Sequence, residues 1–181
     1  MTDPILVVRY DPAWPQRFAE LGRRLRNALS DAALRIDHIG STAVPGLDAK
    51  PIIDLQISVA SFEPLNAYRF PLERDGYIFR PENPDLTKRY FRERPGERRT
   101  HIHVRRAGSW SEQLSLLFRD YMRAHPADAA QYAELKRALA DKHREDRAAY
   151  TDAKAPFIWN VMMQANRWSQ DVGWEPGPSD A

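Results

Sequence analysis

Between His38 and Gln56 the chain reads HIGSTAVPGLDAKPIIDLQ, and its residue types could hold a phosphorylated ligand beside a metal ion. A strand running into a Gly40-Ser41 turn can aim backbone N–H groups at a phosphate. Glycine lets the ligand approach the main chain, Ser41 and Thr42 add hydroxyls, and Lys50 follows in a compact polar loop. Asp54 could then hold the magnesium that accompanies phosphates, since Mg²⁺ is usually bound by one or two carboxylates plus substrate oxygens. Gly-Ser pairs are also common in ordinary turns, and an aspartate on a strand is often a hydrogen-bonded edge residue, so both readings stand at this point.

A second group of candidates follows from strand alternation. From Ile53 to Val59 the apolar residues recur with period two, leaving Asp54, Gln56 and Ser58 on the other side. In His101-Ile-His-Val-Arg105 the pattern sends Ile102 and Val104 to the core and His101, His103 and Arg105 to the opposite face. If the two strands are neighbours, Asp54, His101 and His103 could bind a divalent ion together, or one histidine could accept a proton near it. The alternative is a pair of surface imidazoles with no ligand. Between Lys88 and Arg106 stand eight basic residues, among them Arg89, Arg99 and Arg105, against Glu93 and Glu97. Such a run attracts polyanions, whether a triphosphate or an RNA backbone, or serves as a solvated hairpin that protects an edge strand.

The elements that must position these residues are those of one domain. A length of 181 residues, with 43% hydrophobic and 10% aromatic content, suits a single core over residues 1–170. Residues 171–181, with two prolines, two glycines and three acids, read as a flexible tail. Cysteine is absent, which excludes disulfides, thiolate zinc sites and cysteine nucleophiles and leaves oxygen or imidazole ligands; oxygen ligands favour Mg²⁺ or Mn²⁺. A net charge of +2 is too small to argue for nucleic acid. With neither a run of about 18 apolar residues nor a secretory leader pattern, no membrane association is expected and cytoplasm is the expected location.

Ile5–Val8 reads as a strand, and Tyr10–Pro15 as a turn opening a helix with Phe18, Leu21, Leu25 and Leu29 on one face. Tyr77–Phe79 and Arg89–Arg92 read as strands in a stretch punctuated by Pro64, Pro71, Pro81 and Pro84. A helix carrying Trp110 to Tyr121 should stop at His125-Pro126, a second should run from Tyr132 to about Tyr150, and Pro156 should open a third. Trp110, Trp159 and Trp168 read as core. The whole predicts an α+β fold: a mixed sheet in the first 105 residues, an N-terminal helix, and a helical C-terminal third.

The chain resembles the GrpB-like family over nearly its whole length. The resemblance is carried by Tyr10-Asp-Pro-x-Trp14, by the His38 to Asp54 motif, and by His101-Ile-His103-Val. It continues in Phe118-Arg-Asp-Tyr-x-Arg-x-His-Pro126 and Lys154-x-x-Phe-Ile158. That family is regarded as similar to nucleotidyltransferases of the DNA polymerase beta superfamily, and in some bacteria such a domain is fused to dephospho-coenzyme A kinase. In the superfamily a Gly-Ser turn holds nucleotide phosphates, while an Asp-x-Asp pair and a third carboxylate on a later strand hold two metal ions. Here Gly40 and Ser41 match the turn and Asp54 the first carboxylate; Gln56 stands where the second would be, and His101 and His103 replace the third. The resemblance thus implies a nucleotidyltransferase-like fold with an NTP bound by Gly40, Ser41, Thr42 and Lys50, its triphosphate clamped by Arg89, Arg99 and Arg105. Mg²⁺ or Mn²⁺ would be held by Asp54, Gln56, His101 and His103, with Asp54 and His103 catalytic in transferring a nucleoside monophosphate to an unknown acceptor. Because neutral Gln and His supply less charge than two acids, a nucleotide-binding module without transfer is the alternative, and an RNA-binding domain built on the basic run a third.

Overall fold

The computed structural model describes residues 4–181. Five strands form one sheet: β1 (Arg35–Ile39), β2 (Ile53–Val59), β3 (Tyr77–Phe79), β4 (Arg89–Glu93) and β5 (Thr100–Arg106), in the order β1-β2-β5-β4-β3. β2 runs antiparallel to β1 and parallel to β5, while β4 pairs antiparallel with both β5 and β3. A parallel pair needs a long crossover, and residues 60–99 supply it with α2 (Asn66–Arg74), β3 and β4. The other helices are α1 (Trp14–Leu29), α3 (Trp110–Ala124), α4 (Pro126–Lys142) and α5 (Arg147–Val172). The fold is α+β, as expected. Among the described residues no helix is long and apolar enough to cross a membrane.

Strand register makes the two faces of the sheet chemically different. One face carries Leu55 and Ile57 of β2, Ile102 and Val104 of β5, and Phe91 of β4, all fully buried against Trp14, Phe18 and Leu25 of α1 and Leu72 of α2. Each such side chain removed from water contributes about 1.5–3 kcal/mol, so this layer dominates the stability of the sheet. The other face carries Asp37, Asp54, Gln56, Ser58, His101, His103 and Arg105, and lies beneath α3, α4 and α5, which have a second apolar cluster of their own around Tyr121, Tyr132, Val161 and Met162. Buried polar groups must be paired to be tolerated. Ser58 accordingly donates to the Glu112 carboxylate, which also receives the Gly108 amide at 2.6 Å, and Arg119 of α3 donates to the His38 carbonyl at 3.1 Å.

Several elements differ from the sequence expectation. Val8 makes an isolated two-bond bridge to Ala49, so Ile5–Val8 is not a strand of the sheet. α2 forms across Pro71 because Tyr68 and Leu72, four residues apart, are both drawn into the core. The helix expected to reach Tyr150 ends at Lys142; Asp146 caps a new helix by accepting from the Ala149 amide at 2.9 Å, which places Pro156 inside α5 rather than at its start. Trp110 and Trp159, expected in the core, are 74% and 60% exposed, whereas Trp168 packs on Tyr121. Residues 171–181, expected as a flexible tail, finish α5, turn at Gly173 with φ of +62°, and dock. Trp174 donates to Asp120 at 3.1 Å, Ser179 Oγ accepts the Ile36 amide at 2.9 Å, Asp180 accepts the His38 amide at 2.9 Å, and the Ala181 amide donates to the Ile36 carbonyl at 3.1 Å.

Candidate functional site

The parallel pairing of β2 with β5 sets Asp54 opposite His101 and Gln56 opposite His103, all on the polar face. Two imidazoles converge on one carboxylate oxygen: His101 Nδ1 lies 3.0 Å and His103 Nε2 3.4 Å from Asp54 Oδ1. Burial by itself would push the Asp54 acid group up, but hydrogen bonds from His101 and His103 outweigh it and hold the carboxyl well below the usual range. Burial pushes the His103 imidazole down against the pull of Asp54. One ligand atom from each residue lies within 4.8 Å of the others, a spacing at which an ionised carboxylate and two neutral imidazoles could share one divalent cation and leave its remaining positions open.

The Gly-Ser turn presses against this carboxylate. Gly40 has φ of +72°, and a Cβ placed there would stand 2.9 Å from Asp54 Oδ2, so both the backbone conformation and the close approach require glycine. The turn is anchored from behind by His38, whose ring stacks on Phe18 at 4.7 Å and lies 3.0 Å from Thr42 Oγ1. Thr42 gives its one proton to the Ile52 carbonyl at 3.1 Å, so we assign the His38 proton to Nε2, donating to Thr42. Burial lowers His38 to about 3 and keeps it neutral. This relay ties the turn to the head of β2, two residues before Asp54. It also commits the Thr42 hydroxyl, leaving the Ser41 hydroxyl as the one of the turn without a partner among the described residues.

A cleft of about 500 Å³ opens over these groups, and it contains Gly40, Ser41, Thr42, Lys50, Asp54, His101 and His103 of the predicted set. Its far wall comes from residues that the sequence reading did not assign to a site: Tyr132 and Lys136 of α4, Tyr150 and Lys154 of α5. Each helix contributes a tyrosine followed four residues later by a lysine whose ammonium lies 4.5 Å from that ring's centroid. Lys50 reaches the Tyr150 ring at 5.1 Å. Burial, then the neighbouring Lys154, lowers Lys136 to about 7; burial, then Lys50, lowers Lys154 to about 8. The repeated Tyr-x-x-x-Lys spacing was the signal that could have found them.

Gln56, Arg89, Arg99 and Arg105 do not line this cleft. Gln56 is sealed beneath α3, its Nε2 donating to the Glu112 carbonyl at 3.3 Å. Arg89 is in register with Val104, on the apolar face, and its guanidinium lies over Phe62 at 4.3 Å. Arg105 turns under α3 to donate to the Ser111 carbonyl at 2.7 Å. Arg99 lines a separate groove with Arg24 and Arg98 and stands 3.9 Å from Glu93. The basic run is thereby divided between the two faces of the sheet.

Comparison with known proteins adds the following. The sequence profile described as GrpB protein matches residues 4–164. A UPF0157 protein of Pseudomonas aeruginosa is 44% identical over 166 residues, covering 90% of this chain and 68% of its own length. A dephospho-CoA kinase of Mycolicibacterium paratuberculosis is 32% identical over 199 residues, which cover 96% of this chain but only 49% of the kinase; the chain thus spans about half of that relative. The crystal structure of conserved protein GrpB from Enterococcus faecalis superposes with a TM-score of 0.82 at 36% identity, covering 90% of this chain and 99% of that one. A Cid1 poly(U) polymerase bound to MgATP superposes with a TM-score of 0.51 at 10% identity, covering 71% of this chain and 42% of that one, a likeness of fold alone.

Proposed function

This chain belongs to the GrpB family, and from that premise we propose that it is a metal-dependent nucleotide-binding protein of nucleotidyltransferase type, acting on an NTP met in the cytoplasm. The observation that carries the reading is the contact between the Gly40 turn and the Asp54 carboxylate, on which His101 and His103 converge. It brings a phosphate-binding turn and a cation-binding set within reach of one ligand. The nucleotidyltransferase-like fold supports it.

Asp54, His101 and His103 would hold the cation. Of the two ions expected, Mn²⁺ suits imidazole ligands better than Mg²⁺, which prefers oxygen. When bound, the ion would neutralise charge developing on the transferred phosphoryl group. The chain's own groups do the rest: the Gly40-Ser41 turn seats the phosphates, Lys50 adds a cation, and His38 and Thr42 hold the turn at a fixed distance from β2. Asp54 and His103 would act at the reacting centre. The transferred group is a nucleoside monophosphate, leaving pyrophosphate.

Gln56 favours a second reading. It offers no charge for a second ion and is engaged with Glu112 outside the cleft, an arrangement suited to a module that binds nucleotide without transfer. An NTP panel titrated in Mg²⁺ and in Mn²⁺, with pyrophosphate release followed in parallel, separates the two readings. Binding should be stronger in Mn²⁺, and Asp54→Ala should abolish the metal effect while leaving the fold intact. Wild type and Asp54→Ala titrating identically in both metals would overturn the site.

A further inference from the structure

We infer that Lys50, Lys136, Lys154 and Tyr150 form a receptor for a multiply charged phosphoanion, so that the anionic tail of the ligand is seated by helices α4 and α5 across the cleft from Asp54. The inference deepens the nucleotide reading and rests on it for naming the anion as a triphosphate tail.

Tyr150 is fully buried, lines the cleft, and has a hydroxyl with no hydrogen-bond partner among the described residues. Buried phenols almost always find one, so an orphan hydroxyl on a residue that lines a cleft points to a ligand oxygen. Around its ring stand the ammonium groups of Lys154 at 4.5 Å and Lys50 at 5.1 Å, and both are close enough to Lys136 to disfavour its charge. Among the described residues none of the three makes an ion pair with a carboxylate. Beside Lys136, the Asp48 carboxylate is taken by Arg137, and Lys136 instead donates to the Asp48 backbone carbonyl. Asp54 is engaged by its two histidines.

Two ammonium groups over the Tyr150 ring and a third over Tyr132, none paired with a carboxylate, are costly to assemble, and the faces of the two tyrosines return only about 0.5–2 kcal/mol each. A monoanion would leave two of the ammonium groups without a counter-charge. Terminal phosphates with two or more charges would answer all three and accept the Tyr150 proton as well. The lysine wall and the cation set face one cleft, so one extended ligand can touch both.

The test uses the whole chain, stripped of divalent metal with EDTA and titrated with inorganic tripolyphosphate. Wild type should bind. Lys154→Met should weaken binding about tenfold, the scale of one charge-assisted hydrogen bond, and Tyr150→Phe should weaken it less. Arg98→Met, in the separate groove, should bind as wild type does. Lys136 is buried, so Lys136→Met is interpreted only where its melting temperature is retained; Lys154→Met and Tyr150→Phe decide without it. Absence of tripolyphosphate binding, or equal affinity in wild type, Lys154→Met and Tyr150→Phe, overturns the receptor. ATP should compete with tripolyphosphate if the anion is a nucleotide tail; tripolyphosphate binding that ATP cannot displace overturns that identification. Tripolyphosphate binding in EDTA should survive Asp54→Ala, so failure of nucleotide transfer and failure of the anion receptor are read separately.

Discussion

At the scale of single residues, the site depends on an absent side chain as much as on present ones. Gly40 is the point where main chain and Asp54 carboxylate meet, and its φ of +72° is disfavoured for any residue with a Cβ. Gly40→Ala should therefore act twice. It should lower stability by about 1–3 kcal/mol through backbone strain, and it should displace the carboxylate, reducing the Mn²⁺ enhancement of nucleotide binding. Denaturant midpoints and nucleotide titrations measure the two effects, and a variant with unchanged metal dependence would show that the contact is incidental. Gly40, Asp54, His101 and His103 were legible because turn chemistry and period-two alternation are local properties. Arg89 was misplaced for a related reason: its face depends on register with β5, which puts it opposite Val104, and no local pattern fixes that parity. Lys136 and Lys154 were missed because two separate helices must pack before they share a wall.

At the scale of elements, the least legible feature was the docking of residues 174–181 along β1. Their Pro, Gly and acidic content has the signature of a solvated end, yet the outer edge of β1 presents the Ile36 and His38 amides, and Ser179 and Asp180 accept both. Arg119 fixes Asp180 from the other side with a 2.8 Å contact, so the segment is held by side chains that no periodicity announces. An open strand edge is a template for association with other chains, and this contact covers it. Replacing Asp180 and Ser179 together by alanine should speed hydrogen exchange at the Ile36 and His38 amides while leaving β2 and β5 amides protected, as read by amide exchange with residue resolution. Uniform exchange across the sheet in wild type and variant would mean that the segment does not guard the edge. Helix boundaries failed in the same way: α5 begins at a cap made by Asp146, and Pro156 sits ten residues inside it, where packing rather than the usual rule for proline decides.

At the scale of the whole molecule, the polar face of the sheet makes stability a function of pH on both sides of neutrality. His38 has its pKa lowered from 6.5 to about 3 by burial, and burial lowers His103 as well. Between pH 6.5 and 3 the unfolded chain takes up a proton at His38 that the folded chain refuses, so stability should fall with acidification by about 1.4 kcal/mol per pH unit for such a group. Asp37, raised by its burial, works in the opposite sense above its ordinary 3.8. On the alkaline side the lysines set the sign. Lys136 at about 7 and Lys154 at about 8 are deprotonated in the fold well before their unfolded value of 10.5, so the unfolded chain holds more protons and stability should rise from about pH 7 toward 10. Above 10 the trend should reverse, because Tyr150, raised to about 12 by burial, resists an ionisation that the unfolded chain undergoes freely. The unliganded protein should therefore be most resistant to urea near pH 10. A phosphoanion bound at the lysines would restore their protons and remove the alkaline rise, so urea midpoints at pH 7 and 9 should converge when tripolyphosphate is present. Midpoints that already coincide without the anion, or that stay equally far apart with it, would show that the three lysines are not the groups governing this limb.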